Sequence, residues 1–229
     1  MLVLAIDTSS AAVTAALVEV TDDEVRPRST HTTVDARGHG EYLAPMISAC
    51  LADTGHQPKD LHAIVAGLGP GPFTGLRVGL VTAAVLGETL GIPTYGVSSL
   101  DGIAGALTST RTGTLEDDAD GPVLVATDAR RKEVYWAVYH RGARLLGPEV
   151  SRPQHVPTDG LVAMAGNGAK LYEDELGLPL LDGDYPDPTA LVRVAADRMR
   201  SRTTSDVLTP LYLRRPDAVE PGAPKAVSQ

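Results

Sequence analysis

Two aspartates stand at corresponding places in the chain. Asp7 closes the apolar run 2–6 and Val13 opens the next run; Asp128 closes 123–127 and Val134 opens the next, a six-residue spacing each time. A carboxylate at a strand end before a tight turn can hold magnesium or orient a phosphate, and it can equally cap its own turn. The turn residues are Thr8-Ser9-Ser10 and Ala129-Arg130-Arg131, so neither turn has the glycine that lets backbone N–H groups close on an anion. Asp7, Thr8, Ser9 and Asp128 are thus candidates for a vestigial phosphate or nucleotide hairpin.

A second candidate is the run Gly67-Leu68-Gly69-Pro70-Gly71-Pro72-Phe73-Thr74-Gly75-Leu76-Arg77-Val78-Gly79, which leads from an expected strand into an expected helix. Such a loop can cradle phosphate at a helix N-terminus. A Walker loop is excluded because no lysine occurs between Lys59 and Lys132. The dinucleotide fingerprint is excluded because neither Gly67 nor Gly69 has a glycine five residues on. What remains is small residues every fourth position, Gly71, Gly75, Gly79, Ala83, Gly87 and Gly91, forming one helix ridge that another helix could approach closely. Ordinary packing inside the lobe and use at a subunit interface both fit this ridge. The interface reading predicts that Gly79→Leu leaves the monomer folded and weakens pairing.

Other chemistries find little support. The histidines, at 31, 39, 56, 62, 140 and 155, include no pair at i,i+3 or i,i+4, so no helical metal site is expected. Cys50 is the single cysteine and falls on the apolar stripe Leu43, Met46, Ile47, Cys50, Leu51, which excludes a disulfide framework and disfavours a reactive thiolate. No Gly-x-Ser-x-Gly elbow occurs. Late in the chain Arg193, Arg198, Arg200, Arg202, Arg214 and Arg215 outnumber Asp197 and Asp206. A solvated helix face, or a contact with RNA or an acidic partner, would explain them.

These residues need elements to hold them. Strands are expected over 2–6, 13–20, 62–67 and 93–97, with an edge strand over 30–34; the periodicity predicts helices from Glu41 to Gly55, over 74–90 and over 99–107. After a polar, acidic stretch at 108–121 the opening repeats, with strands at 123–127, 133–140, 143–146 and 161–165. A helix begins at Asp187-Pro188 with the stripe Leu191, Val194, Ala195, Met199. The expectation is α/β, with lobes over 1–107 and 108–229 and a tail after about 208 packed on the first lobe. The 229 residues, 43% hydrophobic, suffice for a core without metal or disulfide, and a net charge of −9 argues against a general nucleic-acid clamp. The first twenty residues lack a basic n-region and carry Asp7. The apolar stretch 78–87 is far shorter than a membrane span, so a cytoplasmic chain without a membrane segment is expected.

Two βββαβα lobes with an aspartate ending each first strand resemble the actin-like, ribonuclease H-like architecture. Several motifs narrow the resemblance: Ala5-Ile6-Asp7-Thr8-Ser9, His39-Gly40-Glu41-Tyr42-Leu43-Ala44-Pro45, the run 67–79, Val97-Ser98-Ser99-Leu100, Asp128-Ala129-Arg130 with Glu133-Val134-Tyr135, and Pro210-Leu211-Tyr212-Leu213-Arg214. Together they are similar to the TsaB (YeaZ) family, the dimerisation subunit of bacterial tRNA threonylcarbamoyladenosine synthesis, in the glycoprotease-like branch of the superfamily. Gly40 and Pro72 stand where that family usually has serine. The resemblance implies a catalytically inactive paralogue of TsaD, whose metal-binding His-x-x-x-His pair has no counterpart at 97–104. It implies pairing with TsaD, or with itself, through the first two helices, with TsaE joining and tRNA reached through the complex. Gly71, Gly75, Gly79, Ala83, Gly87, Leu43, Met46 and Ile47 are the expected interface. No tightly bound cofactor is expected, ATP and magnesium acting in the complex. An active ATPase or small-molecule kinase of the same fold, and a metallopeptidase, are the alternatives.

Overall fold

The computed structural model describes residues 1–110 and 121–214. Most of the acidic stretch after Thr108, and Arg215, lie outside the described residues.

The first sheet is built from β1 (Leu2–Asp7), β2 (Ala12–Val20), β3 (Val25–Val34), β4 (Ala63–Gly67) and β5 (Thr94–Val97), in the order β3-β2-β1-β4-β5. β1 runs antiparallel to β2 and parallel to β4. Its unbroken apolar sequence follows from burial on both faces. One face is covered by α1 (His39–Thr54) and α2 (Phe73–Leu90), which bring Leu43, Cys50, Leu76 and Leu80 onto Leu4, Ile6, Leu17 and Ile64. The other face receives α6 (Pro188–Arg200), through Leu191, Val192, Ala195 and Met199. β3 begins well before the expected residue 30 and takes in Arg26 and Arg28. As an edge strand with alternating exposure it needs no apolar run, only its register with β2.

The second sheet, β8-β7-β6-β9, comprises β6 (Val123–Asp128), β7 (Val134–His140), β8 (Ala143–Ser151) and β9 (Ala163–Ala165). α3 (Ser99–Thr110) packs on one face and the short helices α4 (Asn167–Leu171) and α5 (Glu173–Leu176) on the other. The two lobes are unequal. Where the first lobe places α1 between its third and fourth strands, the second has only a 3-10 turn, Pro153–His155, and the fifth-strand position is reduced to a parallel bridge between Met164 and Leu180.

The lobes exchange helices. α3 follows the first sheet in sequence but packs on the second, while α6 follows the second and packs on the first. They cross at Gly102 and Gly105, where an added Cβ would lie 2.8 Å from Leu191 Cδ2 and 3.2 Å from Ala190 Cβ. Burial on two sides explains why Val192 and Ala196 are buried while Val194, expected in the stripe, is exposed. Beyond α6 the chain returns along β5: Asp206 N–H donates to Thr94 O at 2.8 Å, and Leu211 N–H donates to Leu68 O at 2.8 Å. Arg198 fastens this return, with Nη1 on Asp206 Oδ2 at 2.6 Å and Nη2 on Gly96 O at 2.8 Å.

α2 is long and apolar enough to cross a membrane by length and composition, but its inner face, Gly75, Leu76, Gly79, Leu80 and Ala83, is packed in the chain's interior.

Candidate functional site

The turn after β1 is closed by its own residues. Asp7 is 1% exposed. Its Oδ1 accepts from Ser9 N–H at 2.8 Å and from Ser9 Oγ at 2.7 Å, and its Oδ2 accepts from Ser99 Oγ at 2.5 Å. Ser99 Oγ in turn accepts from Gly69 N–H at 3.0 Å, tying the glycine-rich loop to the same carboxylate. Burial pushes the Asp7 carboxyl above the usual range, opposed in part by hydrogen bonds from Ser99 and Ser9 and by His39. A Cβ on Gly67 would lie 1.7 Å from Asp7 Oδ2, so glycine lets that strand pass directly over the acid.

Thr8 clamps this turn to α2. Its hydroxyl donates to Gly75 O at 2.8 Å and accepts from Gly79 N–H at 3.0 Å, joining the two groups that an undisturbed helix pairs directly. A Cβ on Gly71 would lie 2.0 Å from Ser9 O, one on Gly75 3.0 Å from Thr8 O, and one on Gly79 2.6 Å from Thr8 Oγ1. His39 Nε2 donates to Ser10 O at 2.7 Å and completes the enclosure.

The small-residue ridge therefore packs against the chain's own β1–β2 turn and core rather than lying open on the surface. Gly71, Gly75, Gly79, Ala83 and Gly87 are all buried, Gly87 against Thr94, and Leu43, Met46 and Ile47 lie in the same core. Spacing showed that the small residues share one side of the helix; it carried no information on which side meets solvent. Gly79→Leu would disrupt the fold rather than leave an intact monomer. The outward side of α2 instead presents Val81 at 59% exposure and Val85 at 58%, beside exposed Ala84. The outward side of α1, over the same face of the sheet, presents Ala44, Pro45 and Ser48.

The turn after β6 is open. Asp128 Oδ1 accepts from Arg130 N–H at 2.8 Å, and the Arg130 guanidinium lies 3.3 Å from Oδ2. Arg130, Arg131 and Lys132 all have left-handed backbones, with φ of 62°, 55° and 61°, where side chains with a Cβ are disfavoured. Ala129 N–H to Glu133 O at 2.9 Å and Glu133 N–H to Arg130 O at 3.0 Å hold the turn.

This turn forms one wall of a cleft of about 390 Å³; Gly71, Pro72 and Phe73 form another, and Tyr135, Tyr212, Leu213 and Arg214 complete the lining. Phe73, the chain's single phenylalanine, is 39% exposed and stacks on Tyr212 with centroids 5.0 Å apart and 32° between planes. The Arg77 guanidinium lies 3.8 Å from the Phe73 centroid, and its Nε donates to Tyr212 Oη at 3.3 Å. Arg214 pairs with Glu133 and donates to Ala129 O at 2.9 Å. Of the late arginines, Arg198 and Arg200 are tied to Asp206, Gly96, Asp197 and Thr21, while Arg214 lines the cleft. The cleft was missed in the sequence because it joins residues from three distant segments. Its local signs in the sequence are the basic turn Ala129-Arg130-Arg131 and Arg214, which nothing in the sequence connects to Phe73. Among the described residues no group of three or more His, Cys, Asp or Glu could hold a metal.

Residues 28–174 match the family described as TsaD: tRNA N6-adenosine threonylcarbamoyltransferase. The Escherichia coli tRNA threonylcarbamoyladenosine biosynthesis protein TsaB is 32% identical over 231 residues, covering 93% of this chain and 95% of that protein. The chain belongs to the TsaB family. A Mycobacterium leprae relative is 45% identical over 219 residues; the match covers 95% of this chain but only 56% of that longer protein. The structure of YeaZ from Pseudomonas aeruginosa superposes with a TM-score of 0.74 at 26% identity, covering 93% of this chain and 99% of that one. The fold is thus α/β with two actin-like lobes. Two TsaB-like motifs also acquire structural roles. Residues 5–9 form the closed turn, and Val97-Ser98-Ser99-Leu100 supplies the hydroxyl that seals Asp7.

Proposed function

We propose that this chain is a non-catalytic subunit of tRNA threonylcarbamoyladenosine synthesis. It pairs with a TsaD-type catalytic subunit through the outer face of α1 and α2. The observation that carries the reading is the contrast between a sealed Asp7, with both carboxylate oxygens bonded to the chain's own donors, and an apolar helix face left in solvent. Where a kinase of this architecture would need an open carboxylate for magnesium, Asp7 has no free approach, which supports a scaffold over a phosphoryl-transfer enzyme. Val81, Val85, Ala84, Ala44 and Pro45 are small or β-branched, so they present a flat surface with few charges to bury. Alone, the chain would use that face to homodimerise.

In the full assembly a TsaE-type ATPase joins the pair, ATP and magnesium act there, and tRNA is reached through the complex in the cytoplasm. The test is an omission experiment. Modified adenosine is quantified after mixing threonylcarbamoyl-adenylate synthase, TsaD, TsaE, ATP, threonine, bicarbonate and tRNA, with and without this chain. Product only in its presence, and none when it replaces TsaD, is expected. Equal product without it would overturn the reading.

A further inference from the structure

The lining of the interlobe cleft is unlike the rest of the molecule. The chain carries −9 overall, yet Arg130, Arg131 and Arg214 line this cleft, Arg77 lies over its Phe73 ring, and Lys132 follows Arg131 in the turn. The two acids of the turn, Asp128 and Glu133, are each answered by one arginine. In a chain with 4% aromatic residues, the one phenylalanine sits on the surface against Tyr212. Three consecutive cationic residues also hold a left-handed backbone that glycine would adopt more easily.

We propose that this cleft docks RNA, seating an unstacked base against Phe73 and Tyr212 while the basic turn Arg130-Arg131-Lys132 holds the neighbouring phosphates. Exposed rings beside cations are the combination that single-stranded nucleic acid requires, since every base offers a π-face and every linkage a charge. An acidic peptide would use the cations and leave the rings idle. A second groove of about 260 Å³, lined by Arg37, His39 and Thr74, shares Pro72, Phe73 and Arg130 with the first. Two grooves that share one ring suit a strand running past it better than a lone mononucleotide. The inference rests on the tRNA-modification reading and gives this chain its own contact with the substrate.

The experiment is fluorescence anisotropy of the full chain with a labelled single-stranded RNA spanning an anticodon loop, at several salt concentrations, with AMP and polyglutamate as competitors. RNA binding should weaken with salt with a log–log slope of about −0.7 per phosphate held. Phe73→Ala should weaken it roughly tenfold at unchanged slope, the size expected for one stacked base. Arg131→Ala with Lys132→Ala, both exposed, should lower the slope while circular dichroism stays native. Absence of binding at low salt, variants that bind as the parent does, or displacement by polyglutamate as effective as by unlabelled RNA would each overturn the proposal. If RNA binding fails while the omission reaction still needs the chain, only the cleft is misassigned. If RNA binds while the reaction proceeds without the chain, the scaffold reading fails and the cleft stands.

Discussion

The two aspartate turns began as one pattern and end as opposites. After β1, Asp7 is buried, its oxygens are satisfied by Ser9 and Ser99, and three glycines of the loop and α2 press against the turn. After β6, Asp128 keeps partial exposure, its turn is basic and left-handed, and the space before it is an open cleft. The same local unit has thus been turned to closure in one lobe and left accessible in the other. Equal spacing in sequence predicts equal backbone shape; what lies against each turn comes from elsewhere in the chain and decides what the turn can do.

The comparison can be broken most forcefully at the closed turn. Gly71→Ala places a Cβ against the Ser9 carbonyl, backbone on backbone, and should cost about 3 kcal/mol or more in denaturant unfolding. Arg131→Ala, in the open turn, should change stability by less than about 0.5 kcal/mol. A tolerated Gly71→Ala would mean the first turn is not clamped.

Next in size is the outer helix face. Val81→Arg with Val85→Arg should weaken pairing by about 2–4 kcal/mol, because it buries charge at an apolar centre. Both valines are exposed in the monomer, so its unfolding midpoint should hardly move.

Asp7→Asn sharpens the contrast through pH. Burial makes the folded carboxyl hold its proton more tightly than the unfolded chain does. Stability contributed by this group is therefore complete below the ordinary carboxylate range. It is lost as pH rises through that range to the raised folded value, and the loss is constant above it. The asparagine variant should lack that decline, and superimposable stability–pH profiles for the two proteins would contradict the assignment. At the second turn a modest gain is expected: Lys132→Gly relieves a left-handed backbone and should raise stability by about 1 kcal/mol in thermal unfolding.

Much of the architecture was legible locally. The stripe Leu43, Met46, Ile47, Cys50, Leu51 predicted both α1 and its buried face, and apolar runs ending in aspartate located β1 and β6. The family was legible too, since its motifs are contiguous. Orientation was not. The ridge from Gly71 to Gly87 has the same spacing whether it meets a second subunit or Thr8 of the same chain, and only the tertiary position of the β1–β2 turn separates the two. The crossing of α3 and α6 was equally hidden, because Gly102 and Gly105 look like ordinary small residues until Leu191 and Ala190 lie upon them. Of the late arginines, Arg198 and Arg200 are held on α6 and Arg214 at the cleft, although they fall in one stretch of the sequence. The cleft was built from residues that no window contains together.

The central claim is that this chain works by pairing through the outward face of α1 and α2, with its small-residue ridge serving the interior. The most direct measurement is sedimentation velocity of the chain mixed with the TsaD-family protein of the same organism, comparing the parent with the Val81→Arg, Val85→Arg variant. The account predicts a heterodimer for the parent and separate, folded monomers for the variant. A heterodimer of undiminished affinity in the variant would contradict it.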